Sequence, residues 1–152
     1  MVAHEKVIII DFGGQYTRLI AQRVRKLKVY CEIVPYNISL EDLQKEQLSA
    51  VILSGSTTSI NDSNFPRLYA DIYDWDIPVL GIGYGMQLMV RTLGGKVFSK
   101  KKQWFSKATL HIKNKGNLLK GLPSRIIGWM NEGVLVQEPP AGFSILAGSS
   151  TC

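Results

Sequence analysis

Histidine and cysteine are scarce in this chain of 152 residues: His4, His111, Cys31 and Cys152 are the full set. They build neither a disulfide framework nor a metal-ligand spacing. A reducing compartment is then the default, and a cytoplasmic setting is expected. No apolar run approaches the roughly 20 residues that a membrane-spanning helix needs. Met1 to Lys6 lacks a signal-peptide pattern. There is no P-loop, and no glycine fingerprint of the dinucleotide type follows the first apolar run, so the chain is not expected to use ATP itself. Neither a cofactor nor a metal is expected.

Hydrophobic residues make up 45% of the chain, and glycine is frequent at 14 residues. That composition fits a single α/β domain over residues 1–152, long enough to bury a core. The net charge is +6. Much of it gathers at Arg18, Arg23, Arg25, Lys26 and Lys28, and again at Lys96, Lys100, Lys101, Lys102 and Lys107. A nucleic-acid reading would want aromatics interleaved with basic residues on one face. Trp104 and Phe105 beside the lysine run only hint at this, so nucleic acid is not expected. A solvated surface is the plain reading of such runs, with docking on an acidic protein partner as the alternative.

Val7 to Asp11 is an apolar run closed by an acid and Gly13-Gly14, the pattern of a buried parallel strand and its turn. Tyr16, Leu19, Ile20, Val24 and Leu27 form a helical stripe. Val29 to Val34 is a second strand, with Cys31 on its core face. Ser39 is expected to cap a short helix through Gln47. Ala50 to Leu53 is a third strand, Ser54 to Asn64 a polar loop, and Pro66 the first turn of a helix over 67–75. Strands alternating with helices predict an open, mostly parallel, flavodoxin-like sheet with helices on both faces. After Gly94-Gly95 the pattern changes to an antiparallel extension. Lys96–Ser99 and Ala108–Lys113 are expected to flank a basic turn. Leu118-Leu119 make a helical turn, and strands follow at 125–130, 134–137 and 143–147.

The stretch Pro78 to Val90 organises the chain. An apolar run to Ile82 reads as a buried strand, a glycine turn follows, and Gln87-Leu88-Met89-Val90 open a helix. Gly81, Gly83 and Gly85 give the spacing of a nucleophile elbow, G-x-nucleophile-x-G. The central position holds Gly83, which has no side chain. Ligands of open parallel sheets bind at the carboxyl ends of the strands, so 11–15, 54–59 and 83–87 are expected to converge on one crevice. A separate reading treats Gly81, Gly83 and Gly85 as a bare turn at a helix N-terminus that binds an anion or nucleotide.

Several stretches carry a resemblance. They are Ile9-Ile10-Asp11-Phe12-Gly13-Gly14-Gln15-Tyr16-Thr17-Arg18-Leu19-Ile20-Ala21, Ile52-Leu53-Ser54-Gly55, Pro78-Val79-Leu80-Gly81-Ile82 and Tyr84-Gly85-Met86-Gln87-Leu88-Met89. With Leu93-Gly94-Gly95 and Trp129-Met130, they resemble the class I glutamine amidotransferases, and within that family the GMP synthetase type. The resemblance implies glutamine hydrolysis by an elbow cysteine with a His-Glu pair. It also implies passage of ammonia to an ATP-pyrophosphatase (synthetase) domain or subunit that converts XMP to GMP. On the same grounds, Gly55, Ser56, Tyr84, Gln87 and Gln103 are the remnant glutamine-binding residues, with Ser56 and Tyr84 N–H groups as oxyanion donors.

The chain departs from that pattern at five places. Gly83 stands at the nucleophile position. Ser54-Gly55-Ser56-Thr57 stands where the family has Ser-Gly-Gly-Pro. Trp104-Phe105-Ser106 replaces the glutamine-pocket segment, and Trp104 is expected to fill that pocket. Glu132-Gly133-Val134 replaces His-Gly-Asp, and no His-Pro-Glu follows. The expected function is therefore a GMP synthetase-type amidotransferase domain with no catalytic residue, acting through a docked partner, and its glutamine binding is doubtful. The alternative is a glutamine-binding subunit that still supplies ammonia.

Overall fold

The computed structural model describes residues 6–68, 72–99, 105–131 and 133–152. The chain divides into two compact units, Met1–Met89 and Val90–Cys152.

The first unit is built on a four-stranded parallel sheet in the order β2-β1-β3-β4. Its strands are β1 (Lys6–Asp11), β2 (Tyr30–Pro35), β3 (Leu48–Leu53) and β4 (Val79–Gly81). β1 is central because both its faces are apolar: Ile8, Ile9 and Ile10 are fully buried. Alternation along β1 sends Val7 and Ile9 to one face and Ile8 and Ile10 to the other. Val7 and Ile9 join Cys31, Ile52 and Ala21 in one cluster, so helix α1 (Thr17–Lys26) covers that face. Leu53 pairs with Ile10 in register and therefore belongs to the opposite face. There the first turn of α3 (Tyr84–Thr92) comes against it, because a β-carbon on Gly85 would overlap Leu53. Helices thus lie on both faces of this sheet.

Several sequence expectations need correction. In α1 the residues turned fully inward are Thr17 and Ala21. Tyr16, Leu19 and Leu27 of the expected stripe are exposed, at 62%, 44% and 77%. Ile20 and Val24 of the stripe pack against the core cluster, as expected. The second helix, α2, is only Leu40–Gln44, and the Ser39 side chain does not cap it. Asp42 instead pairs with Lys45 at 3.1 Å. Of the helix expected over 67–75, 69–71 lie outside the described residues, 67–68 are not helical, and Ile72–Asp74 form a single 3-10 turn. Within this sheet β4 is an edge strand, with Leu80 39% exposed, where a buried strand was expected. Cys31 is fully buried, with its Sγ 3.6 Å from the Ala21 carbonyl, as its place on the core face requires.

In the second unit, β5 (Lys96–Ser99) pairs with β8 (Val134–Glu138), and β6 (Phe105–Ile112) lies between β7 (Arg125–Asn131) and β9 (Ala147–Gly148). All these pairings are antiparallel. The expected hairpin of β5 with β6 is therefore not formed: the two strands take different partners. The lysine run between them lies outside the described residues. β9 is two residues long where five were expected, because 143–146 run without a ladder. Leu119 N–H donates to the Lys115 carbonyl at 2.9 Å, which makes the expected turn before Gly121.

Candidate functional site

The crevice lies at the carboxyl ends of β1, β3 and β4, and backbone hydrogen bonds that outrun the strands build it. Ser54 N–H donates to the Ile10 carbonyl at 3.1 Å, and Ile82 N–H to the Leu53 carbonyl at 2.9 Å. Gly85 N–H donates to the Ser54 carbonyl at 2.9 Å. The ends of three strands are thus laced together before any side chain is considered. The expected convergence of 11–15, 54–59 and 83–87 is what the structure shows.

Side chains fix the first of these loops. Asp11 Oδ1 accepts from Gly13 N–H at 2.9 Å and from the Thr17 hydroxyl at 2.8 Å. Ser54 Oγ lies 3.2 Å from Thr17 Oγ1, accepts from Phe12 N–H at 3.3 Å and donates to the Gly55 carbonyl at 3.1 Å. Thr17 and Ser54 are both buried. A buried hydroxyl that holds partners on two loops locks their spacing, because each lost partner would leave a polar group unsatisfied. Phe12 continues the floor, with its ring 5.3 Å from that of Tyr84 and 6.0 Å from that of Tyr36. The sequence carried a signal for this network: an acid at the end of a strand, two glycines, and a hydroxyl at the opening of the next helix. Asp11, Thr17 and Ser54 nevertheless had no assigned role there.

Close backbone approach explains the glycines around the crevice. A β-carbon on Gly14 would stand 2.4 Å from the Gly55 carbonyl oxygen. One on Gly85 would stand 2.3 Å from the Leu53 carbonyl oxygen, and one on Gly81 2.6 Å from Met86 Cα. Gly83 is different. It has φ +57, it is exposed, and a β-carbon there would meet nothing nearer than Gly55 Cα at 4.0 Å. The left-handed backbone of a sharp strand-to-helix turn is present, with open space where a side chain would stand.

Gly55 lies half-buried beside Gly83, and half-buried Ser56 has its Oγ accepting from Thr58 N–H at 3.0 Å inside its own loop. Tyr84 is 4% exposed, and its hydroxyl donates to the Pro66 carbonyl, so the side chain anchors the polar loop and does not stand open in the crevice. Gln87 is half-buried on the first turn of α3, where its N–H donates to the Gly83 carbonyl at 3.1 Å. Gln103, Trp104, Glu132 and His4 lie outside the described residues, and with them the expected filling of the pocket by Trp104. His111 is exposed on β6, as a surface histidine would be. The bare anion nest needs correction: Gly85 N–H is already given to the Ser54 and Ile82 carbonyls, and Gly81 and Gly85 are required by close packing.

Chemically, the described residues set backbone dipoles around the elbow, and the elbow position itself, Gly83, carries no side chain. Acyl transfer from an amide wants a thiolate or an activated hydroxyl. Ser54 is buried and committed to loop contacts, and Cys31 is buried under α1. Neither can stand in at Gly83. Among the described residues no group of three potential ligands could hold a metal ion, and no helix is long and apolar enough to cross a membrane. A depression of about 210 Å³ lined by Leu43, Leu48, Trp75 and Ile77 lies at the amino end of β3, away from the ligand-binding edge of such sheets.

Comparison with known proteins agrees with this geometry. Residues 8–152 match the model of the family "Glutamine amidotransferase class-I". The chain is 46% identical over 145 residues to a protein named GMP synthase [glutamine-hydrolyzing] from Natranaerobius thermophilus, covering 95% of this chain and 28% of that protein. It is 41% identical over 149 residues to the protein of the same name from Finegoldia magna, covering 98% and 29%. The chain therefore spans less than a third of the length of these relatives. Among solved structures, a GMP synthase subunit from Thermoplasma acidophilum superposes with a TM-score of 0.82 at 29% identity, covering 98% of this chain and 75% of that one.

Proposed function

The chain belongs to the class I glutamine amidotransferase family, and we propose that it is a GMP synthase-type amidotransferase domain that does not hydrolyse glutamine. One observation carries the second half of this reading. At the elbow, in the conformation of a nucleophile, stands Gly83, with open space above it and no side chain. The fold around it is kept by close backbone packing at Gly14, Gly81 and Gly85, which the sheet needs whether or not chemistry occurs. On this reading the domain's role is to dock on a synthetase-type domain or subunit, as the proportion of the relatives' length lying outside the match suggests.

Labelling with an electrophilic glutamine analogue tests the reading. The parent chain should gain no label at the crevice, and Gly83→Cys should gain one equivalent at residue 83. Cys31 is shielded, and labelling of the exposed Cys152 should be insensitive to competing glutamine. Glutamine-protected labelling of the parent anywhere in 54–59 or 83–87 would overturn it.

A second reading is favoured by the printed name of the relatives, which includes glutamine hydrolysis. The chain would then be a glutamine-binding subunit supplying ammonia for the conversion of XMP to GMP, with Gly55, Ser56, Tyr84 and Gln87 around the substrate. Calorimetric titration separates the two. Saturable heat with glutamine together with glutamate release supports the second reading, and silence in both supports the first.

A further inference from the structure

We propose that the open face of the β6–β7 pair binds single-stranded nucleic acid. This site is independent of the elbow and of any amidotransferase chemistry. Along an antiparallel pair, alternate residues share a face. The ladder sets Lys107 opposite Trp129 and His111 opposite Arg125, with Phe105 one step diagonal to Trp129. All of these belong to one face, and so does Ile127. Phe105, Ile127 and Trp129 are 67%, 76% and 70% exposed, whereas Ala108, Leu110, Ile126 and Met130 of the other face are half-buried.

The linear sequence hides this arrangement, because the aromatic and basic residues come from two segments that only the ladder brings together. The Lys107 ammonium lies 5.7 Å from the centre of the Trp129 ring. The face thus sets the Phe105 and Trp129 rings beside the Lys107 cation, with Ile127 next to Trp129 and the Arg125–His111 pair beyond it. A strand of nucleotides needs rings on which bases stack and cations beside them for the phosphates. Diagonal neighbours on such a pair stand about 7–8 Å apart, room for two bases to stack on separate rings.

Charge points the same way. Residues 90–152 contain ten Lys and Arg against two Asp and Glu, a net +8. Residues 1–89 contain eight against ten, a net −2. On the face itself Lys107 and Arg125 are cations and no acidic residue stands among their ladder neighbours, so a second copy laid face to face would set like charges together. A polyanion is the complementary occupant.

The test is fluorescence anisotropy with labelled 12-nucleotide oligo-U and oligo-dT, a 12-base-pair duplex and polyglutamate. Saturable binding of the single strands is expected, tighter than that of the duplex. Trp129→Leu, which keeps an apolar side chain and removes the ring, should weaken binding about tenfold, within the range for loss of one stacked base. Lys107→Gln with Arg125→Gln should flatten the salt dependence by about 1.4 in log K against log salt, the share of two phosphate contacts on a single strand. Because these side chains are exposed, circular dichroism should show the variants folded. Absence of saturable binding, equal affinity for the duplex, or indifference to Trp129→Leu would each overturn the proposal. So would polyglutamate binding as tightly with the same sensitivity to Trp129→Leu, which would make the face a dock for an acidic protein.

Discussion

Replacing Gly83 by alanine should cost little, and replacing Gly85 should cost much, although the two residues lie on the same turn. At Gly83 the backbone has φ +57, and an added β-carbon finds only Gly55 Cα at 4.0 Å. The penalty is then the left-handed conformation alone, about 1–2 kcal/mol for a residue with a β-carbon. Against this, alanine restricts the unfolded chain and returns about 0.4–1 kcal/mol. The net loss is about 1 kcal/mol, and Gly83→Cys should cost about the same, since space is not the constraint. At Gly85 the added atom would stand 2.3 Å from the Leu53 carbonyl oxygen and 2.5 Å from Leu53 Cβ, both held by the sheet. Overlap with fixed atoms should cost at least about 3 kcal/mol. Urea unfolding followed by circular dichroism reads the difference. With a slope of about 2 kcal/mol per molar, Gly83→Ala should lower the midpoint by about 0.5 M, and Gly85→Ala by at least about 1.5 M. Equal losses at the two positions would refute the open elbow.

Thr17→Val removes the hydroxyl that donates to Asp11 and lies beside Ser54, and should cost about 1–3 kcal/mol by leaving buried polar partners unmet; a midpoint unchanged from the parent would show that the network is not structural. Lys28 has φ +61 just beyond α1, where glycine is the usual choice, so Lys28→Gly should stabilise by up to about 1 kcal/mol in the same assay. Glu32 is held below its ordinary range by the Tyr30 hydroxyl and then by the Lys6 ammonium. A depressed carboxyl contributes stability that is present above its unfolded value and lost as pH falls through the folded one. A pH series below about 4.5 should therefore show a loss that Glu32→Gln abolishes; because the Glu32 side chain is partly open to solvent, the difference should stay within about 1 kcal/mol.

The parallel sheet was legible because its signal is local and strong. Val7 to Asp11 can be little else than a buried strand, and Gly81, Gly83 and Gly85 mark the turn. The register of the second unit was not legible. β5 and β6 adjoin in sequence, and a hairpin is the usual inference, yet β5 pairs with β8 and β6 with β7 and β9. Nothing in the alternation of either strand says which edge it will meet. The face of α1 was misjudged in part. Apolar spacing pointed to Tyr16, Leu19, Ile20, Val24 and Leu27; Ile20 and Val24 do pack on the core, but the fully buried positions are Thr17 and Ala21, and the other three are exposed. In the crevice, the loops and Gly83 could be read from the chain. The Asp11–Thr17–Ser54 lock could not, since its members are far apart in sequence and polar residues are ordinary in turns. The aromatic and basic face of β6–β7 was invisible for the same cause.

Glutamate release from glutamine by the purified chain tests the central claim most directly. A crevice with Gly83 at its elbow predicts a rate indistinguishable from buffer at saturating glutamine, unchanged by Gly83→Ala. Turnover above buffer that is lost on substitution at Gly55, Tyr84 or Gln87 would contradict it.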